Sequence, residues 1–170
     1  MGLAKTTSNR KPIAFLVAIV VIVALFIISS WYLSQRWILA ISASDSMNTH
    51  FVVIDKKDKN VKKGDVIGFY YCGKKMYDYK NGDRFIKYLV CDEGDKLTVK
   101  NRSYYCNGKF IDKAIKVNSH GDTVQHFIYN GIIPKGKFFA WTPNYYSYDS
   151  RYWGFGDKKD IIGKGYLIFL

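Results

Sequence analysis

The chain has 170 residues, with 26 Lys and Arg against 14 Asp and Glu, a formal net charge of +12 and 17% aromatic residues. That length allows one modest globular domain after any membrane segment is subtracted. No internal repeat, no low-complexity linker and no Cys-x-x-Cys spacing occurs, which argues against repeat arrays and thiolate metal sites.

The first element in chain order is an apolar run from Pro12 to Leu33, PIAFLVAIVVIVALFIISSWYL, without a charged residue. About 20 apolar residues cross a bilayer core, so this run is long enough. The apolar core of a cleaved signal peptide is roughly 7–15 residues and ends in a small-x-small site. Here the run closes on Ser29-Ser30-Trp31-Tyr32, whose aromatic pair suits a membrane interface and favours an uncleaved anchor. No polar face breaks the run, which argues against a buried core helix. Lys5, Arg10 and Lys11 precede it and no acid does; Arg36 beyond it weakens that asymmetry without reversing it. Positive residues favour the cytoplasmic side. The expected order is therefore a cytoplasmic tail over 1–11, a transmembrane anchor over 12–33 and an extracytoplasmic domain over 34–170.

The outer part holds all 14 acidic residues and every basic residue except Lys5, Arg10 and Lys11, so it stays basic. Most of its lysines read as a solvated surface. A basic domain tethered at a bilayer is also drawn to anionic headgroups, which makes membrane lipid an expected partner. No recognition helix or base-stacking platform is readable, and the topology turns the domain away from cytoplasmic nucleic acid, so nucleic acid is not expected.

Beyond the anchor the composition shifts to Tyr, Phe, Val and Ile broken by Gly and Asn, which is strand chemistry. The charge run Asp55 to Lys63 reads as a solvated loop. Val66 to Tyr71 follows the turn Lys63-Gly64-Asp65, and Leu97 to Lys100 alternates apolar and polar. Asn107-Gly108, between Tyr104-Tyr105-Cys106 and Lys109-Phe110-Ile111, supplies the positive backbone angles of a tight hairpin. Pro134 to Lys137 is a turn before Phe138 to Trp141, and Gly163-Lys164-Gly165 is expected to precede a last strand from Tyr166 to Leu170. The fold class is all-β, an antiparallel domain behind one N-terminal transmembrane helix. Cys72, Cys91 and Cys106 all lie in the outer part, where an oxidising compartment permits a disulfide and the odd count leaves one thiol over. Cys91 and Cys106 flank a segment that reads as paired strands and are the candidate pair; three small buried side chains are the alternative.

Four segments then line up in order: Ser44-Asp45-Ser46-Met47; Lys63-Gly64-Asp65-Val66-Ile67; Phe85-Ile86-Lys87-Tyr88-Leu89-Val90 with Gly94-Asp95 and Cys106-Asn107-Gly108; and Ile133 to Phe139 followed by Ser147-Tyr148-Asp149-Ser150-Arg151-Tyr152-Trp153-Gly154. Together they resemble the type I signal peptidase family over nearly the whole chain beyond the anchor. The resemblance implies a serine endopeptidase with Ser46 as nucleophile and Lys87 as general base. It implies an oxyanion hole from the Ser46 N–H and the Ser44 hydroxyl, with Ser147 holding the lysine amine and Asp149 and Arg151 bracing the site. Its substrates are precursors carrying a signal peptide or leader, cut after small residues and bound as an added strand over shallow apolar pockets. Its place is a bacterial cytoplasmic membrane with the catalytic domain outside. No metal and no organic cofactor is implied, and oligomeric state is left open.

The residues are consistent with the same chemistry, although Lys87 read locally is an ordinary strand lysine facing water, and it is the four-segment resemblance that favours the buried base. A serine hydroxyl needs a base, and lysine becomes one only when burial lowers a pKa of about 10.4. Lys87 stands among Phe85, Ile86, Tyr88 and Leu89, unlike the clusters Lys56-Lys57 and Lys62-Lys63. In a strand, Phe85 and Leu89 share its face. His50 reads as a turn histidine, not a rival base, and His120 and His126 fall in no motif. Thr49 stands where the family has proline, Cys91 to Asp95 replace its Gly-x-Pro-Gly-Asp, and Thr142 to Tyr146 replace its Gly-Asp-Asn-Arg. These departures point to a specialised branch, such as the conjugative-transfer peptidases that mature pilins by cleavage or cyclisation. A tethered β scaffold without activity is the alternative from a different class.

Overall fold

A computed structural model of the chain describes residues 10–41, 51–73, 79–118 and 121–168. They divide into two compact units, one ending at Arg36 and one beginning at Trp37. The first contains a single helix, α1 (Arg10–Arg36), three residues longer than the apolar run at its C-terminal end. Its segment Pro12–Arg36 has a mean hydropathy of 3.1 over its most apolar window and is long enough to cross a membrane. Two of its three serines fold back, Ser29 Oγ donating to the Phe26 carbonyl (2.9 Å) and Ser34 Oγ to the Trp31 carbonyl (2.8 Å). Neither hydroxyl is left unsatisfied on an apolar surface, which a hydrocarbon environment penalises.

The described residues of the second unit form eleven strands in two antiparallel sheets. Their ranges are β1 (Trp37–Ile41), β2 (Phe51–Asp55), β3 (Val66–Tyr70), β4 (Arg84–Asp92), β5 (Lys96–Lys100), β6 (Ser103–Cys106), β7 (Lys109–Lys113), β8 (Gly131–Ile132), β9 (Lys137–Trp141), β10 (Gly156–Asp157) and β11 (Ile161–Ile168), with one short helix, α2 (Ser150–Trp153), after β9. The larger sheet runs β1-β2-β11-β3-β4-β9-β10 and the smaller β7-β6-β5-β8. This is the expected antiparallel β domain behind an apolar helix.

Period-two burial decides which way β4 faces. Phe85, Lys87, Leu89 and Cys91 are buried, while Ile86, Tyr88 and Val90 are half-buried on the other side. One face packs with Ile67, Phe69, Tyr71, Phe138 and Ile161. Cys91 and Phe139 carry the core into the smaller sheet, against Leu97, Tyr104 and Ile133. Ile86 and Tyr88 pack on the opposite side with Val52, Ile54 and Ile162.

The last strand corrects the sequence reading. β11 begins at Ile161, so Gly163 and Gly165 lie inside it and not in a turn before it. The reason is close approach between backbones. A Cβ on Gly163 would stand 2.0 Å from the Asp55 carbonyl oxygen, and one on Gly165 would stand 2.7 Å from Val66 Cγ1. These glycines let β11 insert between β2 and β3, with Lys164 level with Asp55 on one side and Ile67 on the other. The Asp55–Lys63 segment is also less free than its charge suggests. Asp55 is buried, Lys59 Nζ donates to the Ile161 carbonyl, and Lys63 pairs with Asp95 at 2.9 Å.

Cys91 and Cys106 are joined in a disulfide with their Cα atoms 5.7 Å apart, and Cys72 is a free, exposed thiol. The bridge links β4 of the larger sheet to β6 of the smaller one. Closing a loop of this separation, 15 residues, removes roughly 3 kcal/mol of chain entropy from the unfolded state. Denaturant titration with and without reductant is therefore expected to show a loss of about 3 kcal/mol on reduction, and Cys72→Ser is expected to leave that difference unchanged.

Candidate active site

The site is built around one amine. Lys87 lies on the buried face of β4, opposite Ile67 of β3 and one residue before Tyr88, which pairs with Trp141 of β9. Thr142 follows directly after β9 and is fully buried. Lys87 Nζ donates to Ser147 Oγ at 2.8 Å and lies 3.4 Å from Thr142 Oγ1, and the two hydroxyl oxygens are 2.5 Å apart. The Phe85 ring centroid is 5.8 Å from Nζ. No carboxylate is within ion-pair distance of Nζ among the described residues; its polar partners are neutral hydroxyls.

That environment shifts the amine's chemistry. Burial, the largest influence, lowers its pKa from 10.5 to about 8; the Asp149 charge opposes the shift and the Arg151 charge adds to it. About a tenth of such an amine is neutral at pH 7, against about three in ten thousand for an ordinary lysine.

The loop carrying Ser147 is pinned at both ends. The Ala140 N–H donates to Ser150 Oγ at 2.9 Å, and the Thr142 N–H to Asp149 Oδ2 at 3.4 Å. Asp149 also caps α2, accepting from the Arg151 N–H at 3.1 Å. Arg151 is wholly buried and forks onto Asp149, with Nε to Oδ1 at 2.8 Å and Nη2 to Oδ2 at 2.9 Å. Its Nη1 reaches Asp112 of β7 at 2.6 Å, and Trp141 Nε1 donates to the same Asp112 oxygen at 2.8 Å. Burial is the largest influence on Asp149 and pushes its pKa up, while the Arg151 fork works the other way. The two-pronged geometry fixes the pair as ions, since a guanidinium fork needs a carboxylate to accept both N–H groups.

Of the residues singled out in the sequence, Lys87, Ser147, Asp149 and Arg151 thus lie in one connected cluster. Ser44, Asp45, Ser46, Met47, His50 and His120 lie outside the described residues. His126 stands edge-on to Tyr104, 6.4 Å between ring centroids, and lines none of this cluster. Two members went unread in the sequence. Thr142 sits in a segment that reads only as a departure from pattern, although its place just after the strand facing β4 could have flagged it. Asp112 carries no local signal, because its partner is 39 residues away. Cys91, Asp95 and Cys106 also converge, but both sulfurs are spent in the disulfide and offer no thiolate to a metal.

A family model described as signal peptidase, peptidase S26, matches residues 11–170. The chain belongs to the signal peptidase S26 family. It is 30% identical over 92 residues to a signal peptidase I of Aquifex aeolicus, covering 54% of this chain and 33% of that protein. It is 29% identical over 128 residues to a signal peptidase IB of Staphylococcus aureus, covering 66% and 62%. A crystal structure of a signal peptidase I from Enterococcus faecalis V583 is similar with a TM-score of 0.44 and 23% identity, covering 64% of this chain and 98% of that one. The chain therefore spans less than two thirds of the length of each of these two signal peptidases.

Proposed function

We propose that this S26 family member is a membrane-tethered serine endopeptidase in which Ser46 is the nucleophile and Lys87 the general base. The observation that carries the reading is the Lys87 amine: buried, partnered by neutral hydroxyls, and shifted to about 8. A neutral amine has two N–H donors and one lone pair. Ser147 and Thr142 take the donors, which leaves the lone pair for the proton of an incoming serine hydroxyl.

In the proposed reaction Lys87 removes the Ser46 proton as Oγ attacks the scissile carbonyl. The Ser46 N–H and the Ser44 hydroxyl stabilise the oxyanion, the lysine returns the proton to the leaving amine, and water or a second amine resolves the acyl-enzyme. The substrates in this reading are exported precursors cut after small residues. The layout in this reading is a cytoplasmic tail (1–11), an anchor (12–33) and an extracytoplasmic domain (34–170) on a bacterial cytoplasmic membrane, with lipid at its surface. The base and the donors are all protein groups, so no cofactor enters. The narrower assignment to conjugative pilin maturation draws on the departures at Thr49, Cys91 to Asp95 and Thr142 to Tyr146, the last of which puts a second hydroxyl beside the amine.

The direct test incubates the full chain in detergent with candidate precursors and reads new termini by mass spectrometry. The expected result is cleavage after a small residue that Ser46→Ala abolishes with folding retained; undiminished cleavage by Ser46→Ala refutes the assignment. A product lacking a free amino terminus identifies cyclisation. The base also fixes the pH dependence. Only the neutral amine can accept the serine proton, so kcat/KM is expected to rise about tenfold per pH unit below pH 8 and to level off above it. A flat profile between pH 6 and pH 9 (roughly the range flanking that pKa) contradicts a lysine base.

A further inference from the structure

A cleft of about 620 Å3 opens between the two sheets. Val90 of β4 and Trp141 of β9 form one side, Lys109, Phe110 and Ile111 of β7 form the other, and Lys63 lies at the rim. Lys87, Ser147 and Thr142 do not line it. Its volume falls within the roughly 300–1,000 Å3 typical of ligand sites.

Three features define the chemistry it can accept. First, β7 is the outer strand of its sheet and, among the described residues, pairs only with β6, so its far edge carries backbone groups without a strand partner, and its residues Lys109, Phe110 and Ile111 line the cleft. A register shift also leaves Ile111 without a counterpart on β6. Second, the walls are apolar: Val90, Ile111 and the indole of Trp141, with Phe110 54% exposed beside them. Third, the rim is positive. Lys109 makes no ion pair among the described residues. Lys63 pairs with Asp95, whose carboxylate already accepts from Asn107 Nδ2 and the Asp92 N–H. An acyl chain would fill the apolar walls and leave the β7 edge unpaired. An extended peptide satisfies the edge, the walls and the rim together.

The position adds a direction. Trp141 pairs with Tyr88, the neighbour of Lys87, and precedes Thr142, so the cleft lies within a residue of the amine along two strands, on the opposite face of the sheet. We infer that this cleft binds an extended segment of the precursor that pairs with the free edge of β7, seats one large apolar side chain against Trp141 and Ile111, and presents an acidic side chain to Lys109 and Lys63. Naming the peptide as precursor rests on the proposed peptidase function; the preference for an extended apolar-acidic peptide does not.

The test uses the full chain in lipid nanodiscs and a short fluorescent peptide carrying one leucine flanked by aspartates, with fluorescence anisotropy as the readout. Saturable binding is expected, weakened at least tenfold by Lys109→Glu, by Phe110→Ala, by lysines in place of the aspartates and by N-methylation of alternate peptide amides. Lys135→Glu, the same charge change away from the cleft, is expected to leave binding unchanged. In parallel, Lys109→Glu is expected to raise KM for a precursor containing such a segment more than it lowers kcat. Peptide binding with no cleavage of any precursor retains the cleft and refutes the peptidase reading. Cleavage with no saturable peptide binding, or with binding indifferent to Lys109→Glu and to N-methylation, overturns the cleft and leaves the peptidase reading intact. Displacement of the peptide by anionic lipid in the disc overturns it as well.

Discussion

Replacing Lys87 with methionine is expected to abolish cleavage and to make the protein more stable. The two outcomes have one cause. In the fold the amine is buried and its pKa falls from 10.5 to about 8, so the native state holds a proton less tightly than the unfolded chain. That shift corresponds to about 3 kcal/mol of destabilisation at neutral pH, at 1.36 kcal/mol per pKa unit. Methionine keeps the length and apolar character of the lysine stem and has no charge to desolvate. Ser147 and Thr142 lose the amine but keep each other at 2.5 Å, so neither hydroxyl is orphaned. The expected gain is therefore about 2–3 kcal/mol at pH 7 in denaturant titration. General-base removal costs at least about 10²–10⁴ in rate.

The sign of the pH dependence provides a second check on the same residue. Between pH 8 and pH 10.5 the unfolded lysine is protonated and the native one is not, so unfolding takes up a proton and stability rises with pH across that window. Below pH 8 both states bind the proton and the full penalty persists. The wild-type stability curve should therefore slope upward from about pH 8, and Lys87→Met should lose that slope. If the variant were less stable than wild type at pH 7, the amine would be contributing to the fold as a cation, and its role as a base would fail. A functional group held at the expense of stability is the usual signature of a site under chemical constraint.

Much of this was readable before the structure, and the reasons are local. The apolar run, the Asn107-Gly108 turn and the strands around Phe69, Lys87 and Phe138 depend on periodicity and turn chemistry, which neighbouring residues encode. The burial of Lys87 was not fixed by alternation, because Ile86 and Tyr88 on one face are as apolar as Phe85 and Leu89 on the other; only the four-segment resemblance pointed to an inward amine, and the burial of β4 agrees with it. What could not be read depends on contacts between distant segments. Gly163 and Gly165 look like turn residues because their true constraint is the backbone of Asp55 and the side chain of Val66, about a hundred residues upstream. Thr142 and Asp112 join the cluster only because β9 lies against β4 and β7 folds over toward α2. The two short strands β8 and β10, each of two residues, carry no periodicity to detect.

The same long-range dependence makes Arg151 the residue whose loss should harm the fold most. Arg151→Met is expected to destabilise the protein by about 3–5 kcal/mol, because it leaves the fully buried Asp149 carboxylate without its counter-charge. For a domain whose total stability is of order 5–15 kcal/mol, that is a large fraction. Arg151→Lys should not rescue it, since an ammonium cannot span both Asp149 oxygens and reach Asp112. Asp149→Asn in the Arg151→Met background should recover roughly 2 kcal/mol, because asparagine keeps one acceptor, for the residue-151 backbone N–H, and removes the stranded charge. The pair also acts on the amine. Asp149 raises the Lys87 pKa and Arg151 lowers it, so the two charges of the intact pair oppose each other at Nζ. Removing Arg151 alone exposes Lys87 to an uncompensated negative charge, which favours the ammonium. The rising, acid-side limb of kcat/KM in any folded Arg151→Met protein should then move to higher pH, and the double variant should bring it back toward the wild-type position. A destabilised variant with an unmoved limb would show that the ion pair holds the fold together without setting the proton affinity of the base.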